Sequence, residues 1–309
     1  MVNLIDNVIY ILSYLILFLT SLKVLTNNLI NFSSNKIKTI LRVATKTNTA
    51  AFIVGIITTM ICQSSNAITV ITLALISSKY ISFKKGLVII IGSNVGTTCT
   101  SFLISLNIYH LVPLFLILGF TLFNSNKNKN IGCLLLSLGF LFFSLELLIN
   151  KLESFLSIEY IYPLINSINN SSFFSFLCGI FLSSCIQSSS AAIGIFQGLY
   201  QKDILSLAAC ISFVLGANIG TTLTGVISSF TCSNETKKVA IINLLFNLFG
   251  SILFLLILIP YSNTIYILSN ILKLNKKGVI ALSHLLYNLL CSFFFFVLFN
   301  NWLKKETVE

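Results

Sequence analysis

The sequence predicts an all-α polytopic membrane protein. It is expected to consist of two inverted repeats, each with a re-entrant hairpin and a broken helix, plus one extra C-terminal span. Three observations carry this reading. The 309 residues are 56% hydrophobic and only 9% charged, whereas a soluble domain carries roughly 25% charged residues. Long apolar runs, among them Ile131 to Ile149 and Val279 to Phe299, read as membrane spans. Two polar motifs recur at a fixed offset of 124 residues.

Helices are the expected element because lipid forces backbone groups to bond within their own segment. A closed barrel would show short alternating strands, and the sequence has none of that pattern. The first span lacks a preceding basic stretch and a small-residue cleavage site, so no cleavable signal peptide is expected. The net charge of +11 does not point to nucleic acid. The lysines lie in short loops between spans, where the cytoplasmic bias of membrane proteins accounts for them. The cysteines (Cys62, Cys99, Cys133, Cys178, Cys185, Cys210, Cys232, Cys291) are scattered through apolar segments without metal spacing and read as small buried hydrophobes.

The repeat is direct to read. Gln63-Ser64-Ser65-Asn66-Ala67 recurs as Gln187-Ser188-Ser189-Ser190-Ala191. Gly92-Ser93-Asn94-Val95-Gly96-Thr97-Thr98 recurs as Gly216-Ala217-Asn218-Ile219-Gly220-Thr221-Thr222, and Gly55 and Gly179 keep the same offset. Two motifs held at one offset without a gap indicate duplication. The chain then divides into a first repeat of about 1–126, a second of about 127–260 and a last span of about 278–302, within a single transmembrane domain, 1–309. Each repeat reads as a full span (4–23, 131–150), a polar-centred segment (50–78, 172–200), a glycine-rich span (86–106, 204–230) and a third span (110–123, 239–259). An interfacial helix is expected at 261–275.

Each polar-centred segment is 29 residues long. One crossing takes about 20 residues and two take about 40 plus a turn, so a hairpin that dips halfway and returns fits best. Non-helical backbone at its tip is tolerated where it lines a wet cavity. Such a hairpin leaves three crossings per repeat, and an odd number inverts the second repeat. With the N-terminus outside and the C-terminus in the cytoplasm, 14 lysine and arginine residues lie inside and five outside. That is the expected bias for a multi-pass protein of the cell membrane.

Unpartnered polar groups are costly in lipid, so these motifs need partners. Their neutral oxygens suit dehydrated sodium, and their hydroxyl and amide donors suit an oxyanion. Gly96 and Gly220 are expected to break their helices at mid-membrane, with Thr97 and Thr221 capping the restarted halves. Four half-helix N-termini would then converge on an anion without need of an arginine. The only arginine, Arg42, is placed in a loop. The candidate substrate- and ion-binding residues are Gln63, Ser64, Ser65, Asn66, Asn94, Thr97 and Thr98 in the first copy. In the second they are Gln187, Ser188, Ser189, Ser190, Asn218, Thr221 and Thr222.

Glu146 is the one carboxylate well inside a span, near its outer end, and is a candidate coupling residue by position. His284 reads as a packing residue of the last span, and His110 sits at a loop edge. The shortage of buried acids, bases and histidines favours a metal-ion couple over a proton relay. No nucleophile–base pair or metal cluster appears in the spans, so neither an enzyme nor a bound cofactor is expected.

At these motifs the sequence resembles the type II sodium–phosphate cotransporter family, marked by two Gln-Ser-Ser-Ser copies, each followed by Gly-Ala-Asn-Ile-Gly-Thr-Thr. The second copy matches fully; the first carries Asn66 for a serine and Ser93 for alanine. The resemblance extends to Ala240–Asn247 and Ala281–Asn288, with Asn243 where the family has histidine. It implies inorganic phosphate as substrate, sodium as coupling ion, membrane lipid as surroundings and alternating access between two repeats. It also implies a short member without the PhoU-like cytoplasmic tail of many bacterial relatives. Two other readings stay open on the residues alone. One is a carrier of another small anion, and the other is a non-transporting membrane phosphate sensor.

Overall fold

The computed structural model describes residues 2–43, 47–125, 128–230 and 232–306. All regular structure among them is helical. The first repeat region contains α1 (Val2–Val43), α2 (Asn48–Cys62), α3 (Ser65–Ser77), α4 (Phe83–Ser105) and, after a 3₁₀ turn at Tyr109–Leu111, α5 (Val112–Phe123). Then come α6 (Lys129–Leu156), α7 (Tyr162–Asn170), α8 (Ser172–Ile186), α9 (Ser189–Gln201), α10 (Leu207–Ser229) and α11 (Asn234–Leu256). Helices α12 (Leu258–Ile271) and α13 (Lys276–Glu306) complete the chain.

Six described stretches are long and apolar enough to cross a membrane: Ile5–Asn31 of α1, all of α4, α6, α10 and α11, and Lys276–Leu298 of α13. At 1.5 Å per residue, a 23-residue helix such as α4 spans about 35 Å, matching the ~30 Å hydrocarbon layer. The segment 110–123 departs from the other expected spans. Pro113 sits in the first turn of α5, where its missing N–H costs nothing, and the 12-residue helix covers only about 18 Å. Arg42 lies on the extended α1, not in a loop. The short amphipathic α7 was not anticipated, and the interfacial helix runs over Leu258–Ile271, starting three residues earlier than expected.

Serine and threonine caps fix the helix starts. Thr47, Ser64 and Ser82 accept hydrogen bonds from the amides of Ala50, Ala67 and Lys85. Ser171, Ser188 and Ser206 do the same for Phe174, Ala191 and Ala209. A cap hydroxyl satisfies one first-turn amide that the helix itself leaves unpaired. Each cap in the first group lies 124 residues before its counterpart. The left-handed residues recur likewise: Gln63 (φ 52°) with Gln187 (φ 59°), and Lys79 (φ 60°) with Asp203 (φ 59°).

The glycines explain how α2 seats on α4 and α8 on α10. A Cβ added at Gly55, Gly92 or Gly96 would fall on the carbonyl oxygens of Ile89, Phe52 and Ile56. At Gly179, Gly216 and Gly220 it would fall on those of Phe213, Phe176 and Ile180, the same pairs shifted by 124. These six glycines let two backbones touch, as small residues do between membrane helices.

The expected breaks at Gly96 and Gly220 are therefore absent. Helices α4 and α10 run through both positions without interruption. The glycines serve close approach instead of bending, and the threonines beside them cap nothing. Thr97 and Thr98 donate to the carbonyls of Ser93 (3.0 Å) and Val95 (2.7 Å), one turn back in their own helix. Thr221 and Thr222 do so to Asn218 (3.1 Å) and Ile219 (2.7 Å).

Polar contacts gather several ends on one face of the bundle. Asn275 Nδ2 donates to the carbonyl of Ser105 at the end of α4 (2.9 Å). Lys276 pairs with Asp203, which leads into α10, and Lys202 pairs with Glu153 at the end of α6 (2.8 Å). Lys151 lies 5.0 Å over the Tyr10 ring, while Asn28 Nδ2 is 3.0 Å from Cys133 Sγ. Helix α1 thus runs antiparallel to α6.

The glycine seams should be intolerant of a single methyl group. Gly216→Ala, driven onto the Phe176 backbone, is expected to destabilise by about 1–3 kcal/mol through overpacking. Gly225→Ala, whose Cβ would sit at an ordinary 3.4 Å from Thr69 Cγ2, should not. Thermal unfolding of the purified variants in detergent checks this, and equal midpoints would refute the seam.

Candidate functional site

Two helices, α2 and α8, end after 15 residues each, and the chain restarts as a new helix after a two-residue turn. In each hairpin the glutamine takes the left-handed conformation that ends the first helix, and the next serine caps the second. Gln63–Ser64 separates α2 from α3, and Gln187–Ser188 separates α8 from α9. The Gln-Ser pair is a stop-and-start signal, which is why the motif begins with those two residue types.

The tips meet. Asn66 Nδ2 donates to the carbonyl oxygen of Gln187 (2.6 Å), and Asn66 Oδ1 accepts from Thr224 Oγ1 (3.3 Å). A serine here, as in the second copy, could not span both partners. Ser190 Oγ reaches toward the carbonyl of Thr97 (3.5 Å), so each tip also touches the glycine-rich helix of the other half.

A cavity of about 390 Å³ lies against the tips. Gln63, Ser64, Ser65, Asn66 and Thr97 line it from the first half, and Gln187, Ser188, Ser189, Ser190 and Thr221 from the second. Its remaining wall is α1, through Leu19, Leu22, Lys23, Thr26, Asn27 and Ile30. Among the described residues no carboxylate lines it. The N-termini of α3 and α9 lie at its wall, and each carries partial positive charge and first-turn amides without intrahelical partners. Hydroxyl and amide donors surround the space, and Gln63 Oε1 is buried with no hydrogen-bond partner among the described residues.

A second cleft of about 10 Å³ lies between Ser65, Asn66, Asn94, Thr221, Thr222 and Asn243. That is room for about one water-sized occupant. Asn94 Nδ2 donates to Asn243 Oδ1 across it (3.2 Å).

Twelve of the fourteen candidate residues thus line one of two adjoining spaces. Two do not. Thr98 is buried and bonded within its own helix. Asn218 turns to α13, where its Oδ1 accepts from His284 Nε2 (3.3 Å) and Asn288 Nδ2 (3.2 Å). Because Asn218 Oδ1 can only accept, His284 Nε2 donates to it, and Nδ1 lies 2.8 Å from Ser101 Oγ. His284 is a cross-link between α4, α10 and α13. Glu146 and His110 lie outside both spaces.

Sequence reasoning missed the α1 wall and Asn243. Lys23 was grouped with the basic residues of a loop, yet it is helical and 23–26–27–30 is an i, i+3, i+4, i+7 stripe. Asn243 stood out only as a departure from histidine.

The fold and cavity define a multi-pass helical membrane protein with a polar site formed by two hairpin tips. The profile of the Na+/Pi-cotransporter family matches residues 17–150 and 155–271, and the chain belongs to that family. It is 30% identical over 238 residues to the uncharacterized protein YqeW of Bacillus subtilis, covering 76% of this chain and 78% of that one. It is also 25% identical over 284 residues to the "Putative inorganic phosphate export protein YjbB" of Salmonella typhimurium, and the Escherichia coli K12 protein of the same name matches equally. These matches cover 91% of this chain, which spans about half (52%) of the YjbB proteins' length. No solved structure matches the chain.

The tip-to-tip bond gives a graded expectation. Asn66→Ser loses the reach to Gln187 and should weaken anion binding about 2- to 10-fold, the worth of one neutral hydrogen bond. Asn66→Asp, which sets a carboxylate against a carbonyl and beside an anion site, should abolish it. Equilibrium binding of labelled phosphate to the purified variants decides, and unchanged binding by Asn66→Asp would remove Asn66 from the site.

Proposed function

We propose that this protein carries inorganic phosphate across the cell membrane, coupled to sodium, by alternating access between two inverted repeats. The observation that carries the reading is the meeting of two serine-capped hairpin tips at an acid-free cavity. The oxyanion sits in that cavity, held by Ser65, Ser189, Ser190 and the glutamines through their hydroxyl and amide donors and by the α3 and α9 N-termini. Gln63, Gln187, Thr97 and Thr221 complete the shell, while Ser64 and Ser188 act chiefly as the caps that orient it.

Sodium occupies the small cleft. Asn66 Oδ1, Asn94, Thr221, Thr222, Ser65 and Asn243 offer neutral oxygens to a hard cation in a space that admits one small ion. Placing the cation beside the anion lowers the cost of carrying either through lipid, since the two attract most strongly where water is scarce. Membership of a sodium–phosphate cotransporter family supports both ligands.

Two observations support alternating access. The ends of α4 and the start of α10 share one face, so the equivalent helices point in opposite directions, as inverted repeats require. The packing is also lopsided. A Cβ at Gly194 or Gly198 of α9 would strike Ile104 or Ile149, while the positions 124 residues earlier, Val70 and Ala74 of α3, are exposed. That face of α9 is covered, while the equivalent face of α3 is open, although α3 still buries Ile68, Leu73 and Ile76. Exchanging those roles would move the opening from one face to the other. We place the N-terminus outside and the C-terminus in the cytoplasm from the loop charges; the YjbB names point to export, while the gradient of the cell sets the net direction.

Purified protein in liposomes should accumulate labelled phosphate when a sodium gradient is imposed. Accumulation should collapse when choline replaces sodium at fixed pH, and a proton gradient alone should not restore it. Ser189→Ala should lower phosphate affinity about 10-fold or more. Full transport without sodium would discard the coupling, and full transport by Ser189→Ala would leave its serine a packing residue.

Orientation has its own test. Single cysteines at Asn107 and Ser157 should label from outside intact cells in a background lacking the native cysteines, while those at Asn128 and Ser233 should label only after permeabilisation. Labelling of 128 and 157 on the same side would eliminate the inverted arrangement.

A further inference from the structure

Among the described residues Lys23 is the one charged side chain lining the 390 Å³ cavity. The first span is expected at 4–23, but the helix does not end at Lys23. The apolar stretch of α1 runs on to Asn31, eight residues beyond Lys23, or about 12 Å along the helix axis. An ammonium within an apolar stretch is costly against lipid and is found where a helix faces a wet cavity or an anionic partner. Lys23 is exposed in the fold and lies on the α1 stripe that faces the hairpin tips, with Thr26 and Asn27 one turn further on.

The other walls add no compensating negative charge. The lining residues of both tips are neutral, and the N-termini of α3 and α9 reinforce the positive potential. The cavity is also far larger than a single water needs, so an anion arrives in it partly hydrated. A mobile lysine on a four-carbon stem can meet such an anion as a point charge without a fixed geometry.

We infer that Lys23 is the charge-selecting residue of this cavity: its ammonium draws in the dissolved oxyanion and holds it beside the hairpin tips. This rests on the phosphate reading proposed above. The position 124 residues later is Leu147, so the second half has no matching lysine and the charge acts from one side of the site.

The test uses the purified full chain with Lys23→Gln, Lys23→Glu and the charge-conserving Lys23→Arg. Two quantities are read: equilibrium binding of labelled inorganic phosphate in detergent, and phosphate uptake into vesicles of phosphatidylcholine alone. Lys23→Gln should raise both Kd and KM for phosphate about 10-fold or more, as expected on losing a charged hydrogen-bond partner. Maximal rate, sodium dependence and melting midpoint should stay close to wild type. Lys23→Glu should bind no measurable phosphate, and Lys23→Arg should stay within a few-fold of wild type.

Wild-type affinity in Lys23→Gln and Lys23→Glu would overturn the inference and leave Lys23 a membrane anchor. An effect that appears only when anionic lipid is added would also overturn it, assigning the ammonium to a headgroup. Binding by the wild type that depends on Lys23, without any uptake, would uphold the inference while sinking the transport reading. No phosphate binding by the wild type would sink both.

Discussion

The structure depends on one constraint: a helix that stops inside a membrane must still satisfy its terminal polar groups. Lipid offers nothing, so every partner must come from the protein. Here the solution is local and repeated. A left-handed glutamine ends one helix and a serine hydroxyl caps the next. The first turns of α3 and α9 then face the cavity and the opposite tip. The bond from Asn66 to the Gln187 carbonyl is that principle acting across the two halves. The candidate site thus lies where two helices are interrupted and their ends meet.

Holding two interrupted helices in register needs a rigid support, and the glycine seams provide it. Side-chain contact would leave several ångströms of play between α2 and α4 or α8 and α10. Backbone contact at three glycines per seam removes it, and Ser175 and Ser183 of α8 add bonds to the carbonyls of Ala209 (2.6 Å) and Ala217 (2.7 Å). The tips are therefore carried by hairpins whose first arm is fixed closely to a full span. The second arms, α3 and α9, are the ones whose packing differs between halves.

Much of this was legible in the sequence because it is local. Hydropathy and length gave the helical membrane class, and a 29-residue segment with a polar centre is too long for one crossing and too short for two. What failed was the reading of glycine. Gly96 and Gly220 were expected to break helices, but within a span every N–H already has its i−4 partner. A break would cost hydrogen bonds that close packing does not. Conformational freedom and absence of a side chain are both properties of glycine, and the sequence around Gly96 does not say which is used. The α1 wall was illegible for another reason. Lys23 looks like a loop residue until the helix is seen to continue past it, and its facing depends on how α1 packs along α6.

The two halves share a backbone plan but not a chemistry, and α13 accounts for much of the difference. Asn94 and Asn218 occupy equivalent places, 124 residues apart. Asn94 meets Asn243 at the small cleft, whereas Asn218 is held by His284 and Asn288. Helix α13 follows the second half and has no counterpart after the first. Its His284 bonds Ser101 on one side and Asn218 on the other, so it takes up one asparagine of the pair and leaves its twin facing the cleft. Duplication alone would produce two equal half-sites. An added helix that takes up the polar group of one half removes that equivalence, and it does so through hydrogen bonds from His284 and Asn288.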